Sequence, residues 1–236
     1  RGRNAPTMGR PWARVRQWTG ALSVRLAGRR LRHEASYSIP VISPRDGSVL
    51  GDVPDMTAAE VDAKVRCGAA CARSEWADPA RVGERSAALR RVAARLRAQR
   101  EDLARMETVD CGKTLAESLA DVDMSADLFD YYSSRAGAVM APARVAVPDP
   151  AFESWVHAHP VGLVACVTPW NYPLLQAVVK VAPALAAGCA TLIKPSPLAP
   201  LSCLQLEATC QEADLPEGAV AVVTGGPPGG RADGAA

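Results

Sequence analysis

Val161-Gly162-Leu163-Val164-Ala165-Cys166-Val167-Thr168-Pro169-Trp170-Asn171-Tyr172-Pro173 joins an unbroken apolar run to a proline that can open a helix. The run, ended by Thr-Pro, predicts a strand over 161–167 buried on both faces. Proline at a first helical position loses no intrahelical bond, so a helix is expected over 173–187, ended by Gly188. The pattern then repeats: strand Ala190–Ile193, helix Leu201–Ala213, the breaker Pro216-Glu217-Gly218 and strand Ala219–Val223. Strands and helices alternating on short connections imply a parallel sheet with right-handed crossovers, hence an α/β fold. Ligands of such sheets bind beyond the carboxyl ends of the strands. Those ends are Thr168-Pro169-Trp170-Asn171 and Lys194-Pro195-Ser196-Pro197. Asn171 also lies beside a helix start, where an asparagine can simply cap. Three strands leave long open edges, so the sheet reads as part of a larger one.

Upstream, Ile39 to Val53 alternates around Ser43-Pro44-Arg45-Asp46-Gly47 and reads as a β-hairpin with Asp-Gly in the turn. Thr57-Ala58-Ala59-Glu60 is a capping box opening a helix to about Trp76. Asp78-Pro79 opens the next helix, which carries Leu89, Val92, Leu96, Leu103 and Met106 and stops near Cys111-Gly112. Its arginines (85, 90, 91, 95, 97 and 100) read as a solvated face. Thr114-Leu115-Ala116-Glu117 is a second capping box, for a helix to about Ala138. Residues 141–160 alternate around Phe152, Trp155 and His157 between prolines, as a hairpin at a sheet edge would.

The chain has 236 residues, 48% apolar and 22% charged, which excludes coiled-coil, collagen-like and wholly disordered classes. The net charge of +2 hides an asymmetry: residues 1–34 carry +8 and the remainder −6. Nothing in the core therefore suggests a nucleic-acid surface. The longest apolar stretch, Pro173–Ile193, is interrupted by Gln176, Lys180 and Pro183, so no membrane span is expected. The acid-poor front resembles an organelle transit peptide; a tail, or a segment read from upstream of the true start, fits equally. A cytoplasmic or organellar location follows. Seven cysteines without a C-x-x-C pair read as free thiols.

The ordered string Thr168-Pro169-Trp170-Asn171-Tyr172-Pro173, Lys180-Val181-Ala182-Pro183-Ala184-Leu185-Ala186-Ala187-Gly188 and Lys194-Pro195-Ser196 resembles the aldehyde dehydrogenase superfamily. Asp110-Cys111-Gly112-Lys113 and Ser43-Pro44-Arg45-Asp46-Gly47 look like that family's earlier motifs. Within the superfamily the betaine-aldehyde and aminoaldehyde branch is the most similar. The resemblance implies NAD- or NADP-dependent oxidation of a small aldehyde, and a homo-oligomer for a full-length enzyme. It implies that Asn171 donates to the developing oxyanion and that Lys180 serves a proton relay, a solvated helix lysine being the alternative. Thr168, Pro169 and Trp170 would pack along the nicotinamide, Lys194 would bond the adenosine ribose, and Ser196 would sit in the same loop. Asp110 would help hold a monovalent cation, or cap a helix end.

The resemblance also implies a division of the chain. Residues 1–35 would be a disordered basic extension and 36–140 the hairpin and helices of the cofactor domain. Residues 141–160 would be an oligomerisation hairpin, 161–226 a βαβαβ half of a Rossmann-like sheet, and 227–236 a disordered tail. The fold expected is thus aldehyde-dehydrogenase-like and truncated, with the nucleophilic cysteine and base glutamate beyond residue 236. Pro197 stands where the family usually has a ribose-binding glutamate, and Val179 where the branch often has a substrate-box tryptophan. Asp121 and Asp123 match part of an acidic stretch, but Met124 replaces a further acid. Two other readings stand beside oxidation: an inert remnant or oligomer-pairing fragment, and an acyl-phosphate or acyl-CoA reductase on the same scaffold.

Overall fold

The structure, a computed structural model, describes residues 38–226. The expectations for 1–35 and 227–236 lie outside that range. Strands β1 (Ser38–Ile42) and β2 (Val49–Pro54) pair antiparallel, as the Asp-Gly turn requires. Asp46 holds that turn by accepting from the backbone and hydroxyl of Ser48.

Helix α1 (Ala58–Cys71) opens on the Thr57–Glu60 capping box but stops five residues before Trp76. Ser74 is the reason: its hydroxyl donates to Cys71 O and accepts from Trp76 N–H. This starts a 3-10 turn that lets the Trp76 indole reach Cys189 O at 3.0 Å. Asp78-Pro79 likewise opens a 3-10 turn, Pro79–Arg81, and not the helix itself. The single helix expected beyond it is two: α2 (Val82–Ala98) and α3 (Arg100–Cys111), parted at Gln99. The Gln99 side-chain oxygen accepts from Thr209 and Gln205, a tertiary demand that no local pattern announces. Helix α4 (Leu115–Met140) follows from the second capping box.

The arginine face is not merely solvated. Arg85 is 1% exposed, and its Nη1 donates to Trp76 O and Asp78 O. Arg91 donates to Ala213 O, and Arg97 and Arg100 pair with Asp127, Asp130 and Asp123 of α4. Their aliphatic stems lie along the bundle while the heads find acceptors.

Strands β3 (Ala143–Val145) and β4 (Ser154–Val156) form a short antiparallel ribbon with Trp155 and Val156 exposed. The parallel sheet runs β5 (Leu163–Val167), β6 (Ala190–Lys194), β7 (Val220–Val222) in that order, joined by α5 (Pro173–Ala186) and α6 (Leu201–Glu212). Alternate residues face opposite sides of a strand. Leu192 and Ala221 pack with Val61 of α1, whereas Ile193 and Val222 join the main core with Leu174, Val178 and Leu206. Central β6 is buried as expected. β5 is not: among the described residues it pairs only with β6, starts at Leu163, and leaves Val167 68% exposed.

Arg85→Met would strand the buried Trp76 carbonyl, at a cost of about 1–3 kcal/mol, and take the donor from the part-buried Asp78 carbonyl. We expect denaturant unfolding to show a loss of about 2–4 kcal/mol, against within about 0.5 kcal/mol for exposed Arg90→Met.

Candidate active site

Parallel register places Val167 opposite Lys194, so β5 and β6 end side by side. Thr168 N–H then donates to Lys194 O at 3.1 Å, which ties the two rim loops together. Thr168 is buried, with Oγ1 3.8 Å from Cys203 Sγ, while Pro169, Trp170 and Asn171 are exposed on the rim. The third strand end is tied instead to the segment that follows β2, through Met56 N–H to Thr224 O and Thr224 Oγ1 to Pro54 O.

Asn171 does not cap α5. The N-cap is Tyr172, and the Leu174 N–H donates instead to Glu107 Oε1 at 3.1 Å, across 67 residues of sequence. The Asn171 side chain makes no hydrogen bond among the described residues. A rim amide with donors to spare suits it to meet a developing negative oxygen.

Glu107 is fully buried and Lys113 nearly so. Lys113 Nζ lies 3.1 Å from Glu107 Oε1, pairs with Asp121, and sits 5.0 Å from the centroid of the Tyr172 ring. Gly112, at φ +84°, makes the tight reversal after α3 that turns Lys113 back; a Cβ there would meet Pro44 Cγ at 2.9 Å. Burial works against the Lys113 charge, but the carboxylates of Asp121 and Glu107 outweigh it and hold its pKa up. Burial pushes Glu107 up despite Lys113 and the Leu174 N–H.

Lys180, half-buried on α5, donates to Gln176 O and Oε1 at 2.9 and 3.2 Å, and no hydrogen bond joins it to Asn171. Among the described residues Lys194 Nζ donates only to Pro195 O, which leaves two N–H groups for a ligand; burial lowers its pKa. Ser196 Oγ accepts from Leu198 N–H and shapes that loop. Asp121 pairs with Lys113, and Asp123 with Arg100.

Asp110 is 1% exposed and accepts from Leu201 N–H at 2.8 Å, so it caps α6. Its other oxygen has no hydrogen-bond partner. Among the described residues no group of three or more His, Cys, Asp or Glu could hold an ion. The seven cysteines are free, and burial pushes Cys71 up to about 11 and Cys203 up to about 12, far from a thiolate at neutral pH.

Sequence reasoning gave no role to Glu107 and Lys113. The one available signal was spacing: Leu103, Glu107 and Asp110 share a helical face, so two acids sit on an apolar stripe.

The rim at the carboxyl ends of the parallel strands, where ligands of α/β sheets bind, thus carries an amide without a hydrogen bond and a half-buried lysine, the arrangement of an α/β enzyme fold. Residues 31–232 match the aldehyde dehydrogenase family, and the chain belongs to it. It is 43% identical over 198 residues to aminoaldehyde dehydrogenase 2, peroxisomal, of Pisum sativum, covering 81% of this chain and 39% of that protein. It is 40% identical over 199 residues to the chloroplastic betaine aldehyde dehydrogenase of Amaranthus hypochondriacus, covering 81% and 40%. Betaine aldehyde dehydrogenase from Staphylococcus aureus, solved in complex with NAD+, superposes with a TM-score of 0.74 at 34% identity, over 80% of this chain and 37% of that one. A structure described as an E. coli NADP dependent enzyme gives 0.76 at 30% identity, over 80% and 39%. The chain thus spans about two fifths of the length of the relatives it matches. Among the described residues no helix is long and apolar enough to cross a membrane.

Burial raises the Asp110 carboxyl from 3.8 to about 7. A raised acid favours the folded state while protonated. Its stabilisation is complete below about pH 4 and lost as pH rises through about 7. Thermal melts of Asp110→Asn at about pH 5 and about pH 8 should differ less than those of the parent chain. An unchanged difference would mean that another group sets the profile.

Proposed function

We propose that this chain supplies the cofactor crevice and the oxyanion amide for NAD(P)-dependent oxidation of an aldehyde to a carboxylic acid. The observation that carries this is Asn171, exposed on the rim with its helix capped by another residue. When a thiolate attacks an aldehyde carbon, charge develops on the oxygen. A donor positioned there is worth ~10²–10³ in rate. The thiolate and the general base would come from the part of the enzyme that this chain does not span, since burial keeps Cys71, Cys203 and Cys210 protonated. NAD(P), when bound, supplies the hydride acceptor.

Trp170 and Pro169, exposed beside Asn171, would lie along the nicotinamide, with Thr168 holding the loop from beneath. Lys194 would give its two remaining N–H groups to the ribose, with Ser196 beside it. Pro197 offers no carboxylate to accept from a ribose hydroxyl or to repel a 2′-phosphate, so the crevice should discriminate little between NAD and NADP. Lys180 would pass protons only after giving up its bonds to Gln176. A monovalent cation at Asp110 would have the unpartnered Oδ1 as a donor.

Several relatives are named for betaine and aminoaldehydes. Here Asp121 and Asp123 are already paired and Val179 is not aromatic, so Tyr172 alone would hold a cationic aldehyde, and weakly. A preference for neutral small aldehydes follows. The exposed β3–β4 ribbon, with Phe152, Trp155 and Val156, favours pairing with a second subunit. By itself the chain would then be an inert piece that pairs with complete subunits.

NADH titration of the purified chain tests the crevice. Lys194→Ala should weaken binding about tenfold, as for loss of a charged hydrogen bond, and Asn171→Ala should leave it within about twofold. Equal binding by Lys194→Ala would defeat the crevice assignment. NADH formation from an aldehyde by this chain alone would show that it carries its own nucleophile.

A further inference from the structure

An asparagine next to a helix start is drawn to the helix. The first N–H groups of a helix have no intrahelical partners, and a nearby Asn side chain is among the best acceptors for them. Asn171 stands beside that position, one residue before the N-cap of α5. A side chain spent as a cap would offer its amide to the backbone and not to a substrate.

The vacant role is filled from another helix. Glu107, on α3, reaches the Leu174 N–H at 3.1 Å with no exposure to solvent. Its carboxylate also lies at the positive end of the α5 dipole, which favours a negative group there. Lys113 holds the same Oε1 at 3.1 Å and so restricts where the carboxylate can point. The ammonium continues to Asp121 and to the face of the Tyr172 ring, on the residue that follows Asn171. One chain of contacts thus reaches Tyr172 and Leu174, C-terminal to the loop. On the N-terminal side, Thr168 N–H is held by Lys194 O. The stretch between, Pro169 to Asn171, has fixed ends and an uncommitted amide.

We propose that Glu107, held by Lys113, is the positioning residue of the rim loop: it takes over the cap of α5 so that Asn171 is free to face the aldehyde oxygen. Neither residue touches a reacting atom. The inference rests on the oxyanion reading of Asn171 above, but the mechanical part can be measured without it.

The experiment uses the whole chain. Hydrogen exchange by mass spectrometry is read at residues 168–176, with α6 (201–212) as the internal control, for the parent, Glu107→Leu, Glu107→Gln and Glu107→Asp. NADH affinity is measured on the same samples. Glu107→Leu keeps the volume but removes the acceptor, so exchange at 168–176 should rise about tenfold, the worth of one buried hydrogen bond, with 201–212 unchanged. Glu107→Gln retains an acceptor for Leu174 and should stay within about twofold. Affinity for NADH should follow the same order, falling about fivefold in Glu107→Leu and recovering in Glu107→Gln.

Should Glu107→Leu not fold, Glu107→Asp decides. It keeps the charge but withdraws it by one methylene, and should loosen 168–176 more than Glu107→Gln does. Exchange that rises equally in both segments, or not at all, overturns the proposal. A parent chain that shows the localised exchange effect but no NADH binding leaves the positioning role standing and defeats the cofactor reading instead.

Discussion

Parallel pairing of β5 with β6 is the constraint from which the site follows. Its register sets Val167 against Lys194, so two loops that are far apart in sequence emerge at one rim. The same pairing continues one step past the strands, in the bond from Thr168 N–H to Lys194 O. A slip of one residue would turn every side chain of β6 to the opposite face of the sheet. Complete burial of Ile193 against α5 and α6 guards against that slip.

Around this sheet the polar interior is arranged as a set of ties between helices. Gln99 binds α6, Arg85 closes the turns before α2, and Arg97 and Arg100 bind α4. Asp110 and Glu107, one turn apart on α3, cap α6 and α5. Both acids are buried where a carboxylate is costly, and each is met by a helix N-terminus that favours negative charge. The helix that looks most ordinary in sequence therefore orients both helices that follow the rim loops.

Much of this was legible beforehand. The two capping boxes, the Asp-Gly hairpin and the three apolar runs are local signals, and each produced the element expected. The misreadings have several causes. The break at Gln99 and the contacts of Arg91, Arg97 and Arg100 depend on partners far along the chain or on a neighbouring helix, and periodicity carries no record of those. The early stop before Trp76 and the burial of Arg85 come from short-range side-chain bonds at the 3-10 turns. Val161 and Val167 read as core because they are apolar, yet an edge strand has only one neighbour to bury it.

Sequence alone determined the α/β class, the two rim loops and the family resemblance, because these live in local pattern and in an ordered string of residues. It also supplied Asn171 but left two roles open for it, cap or donor. Only the tertiary structure removed the cap reading, since the cap comes from Glu107, 67 residues away in the chain and on a different helix. A hydrogen bond has one donor and needs one acceptor. Once Glu107 provides it, the Asn171 side chain, exposed at the rim, is left without a hydrogen bond among the described residues.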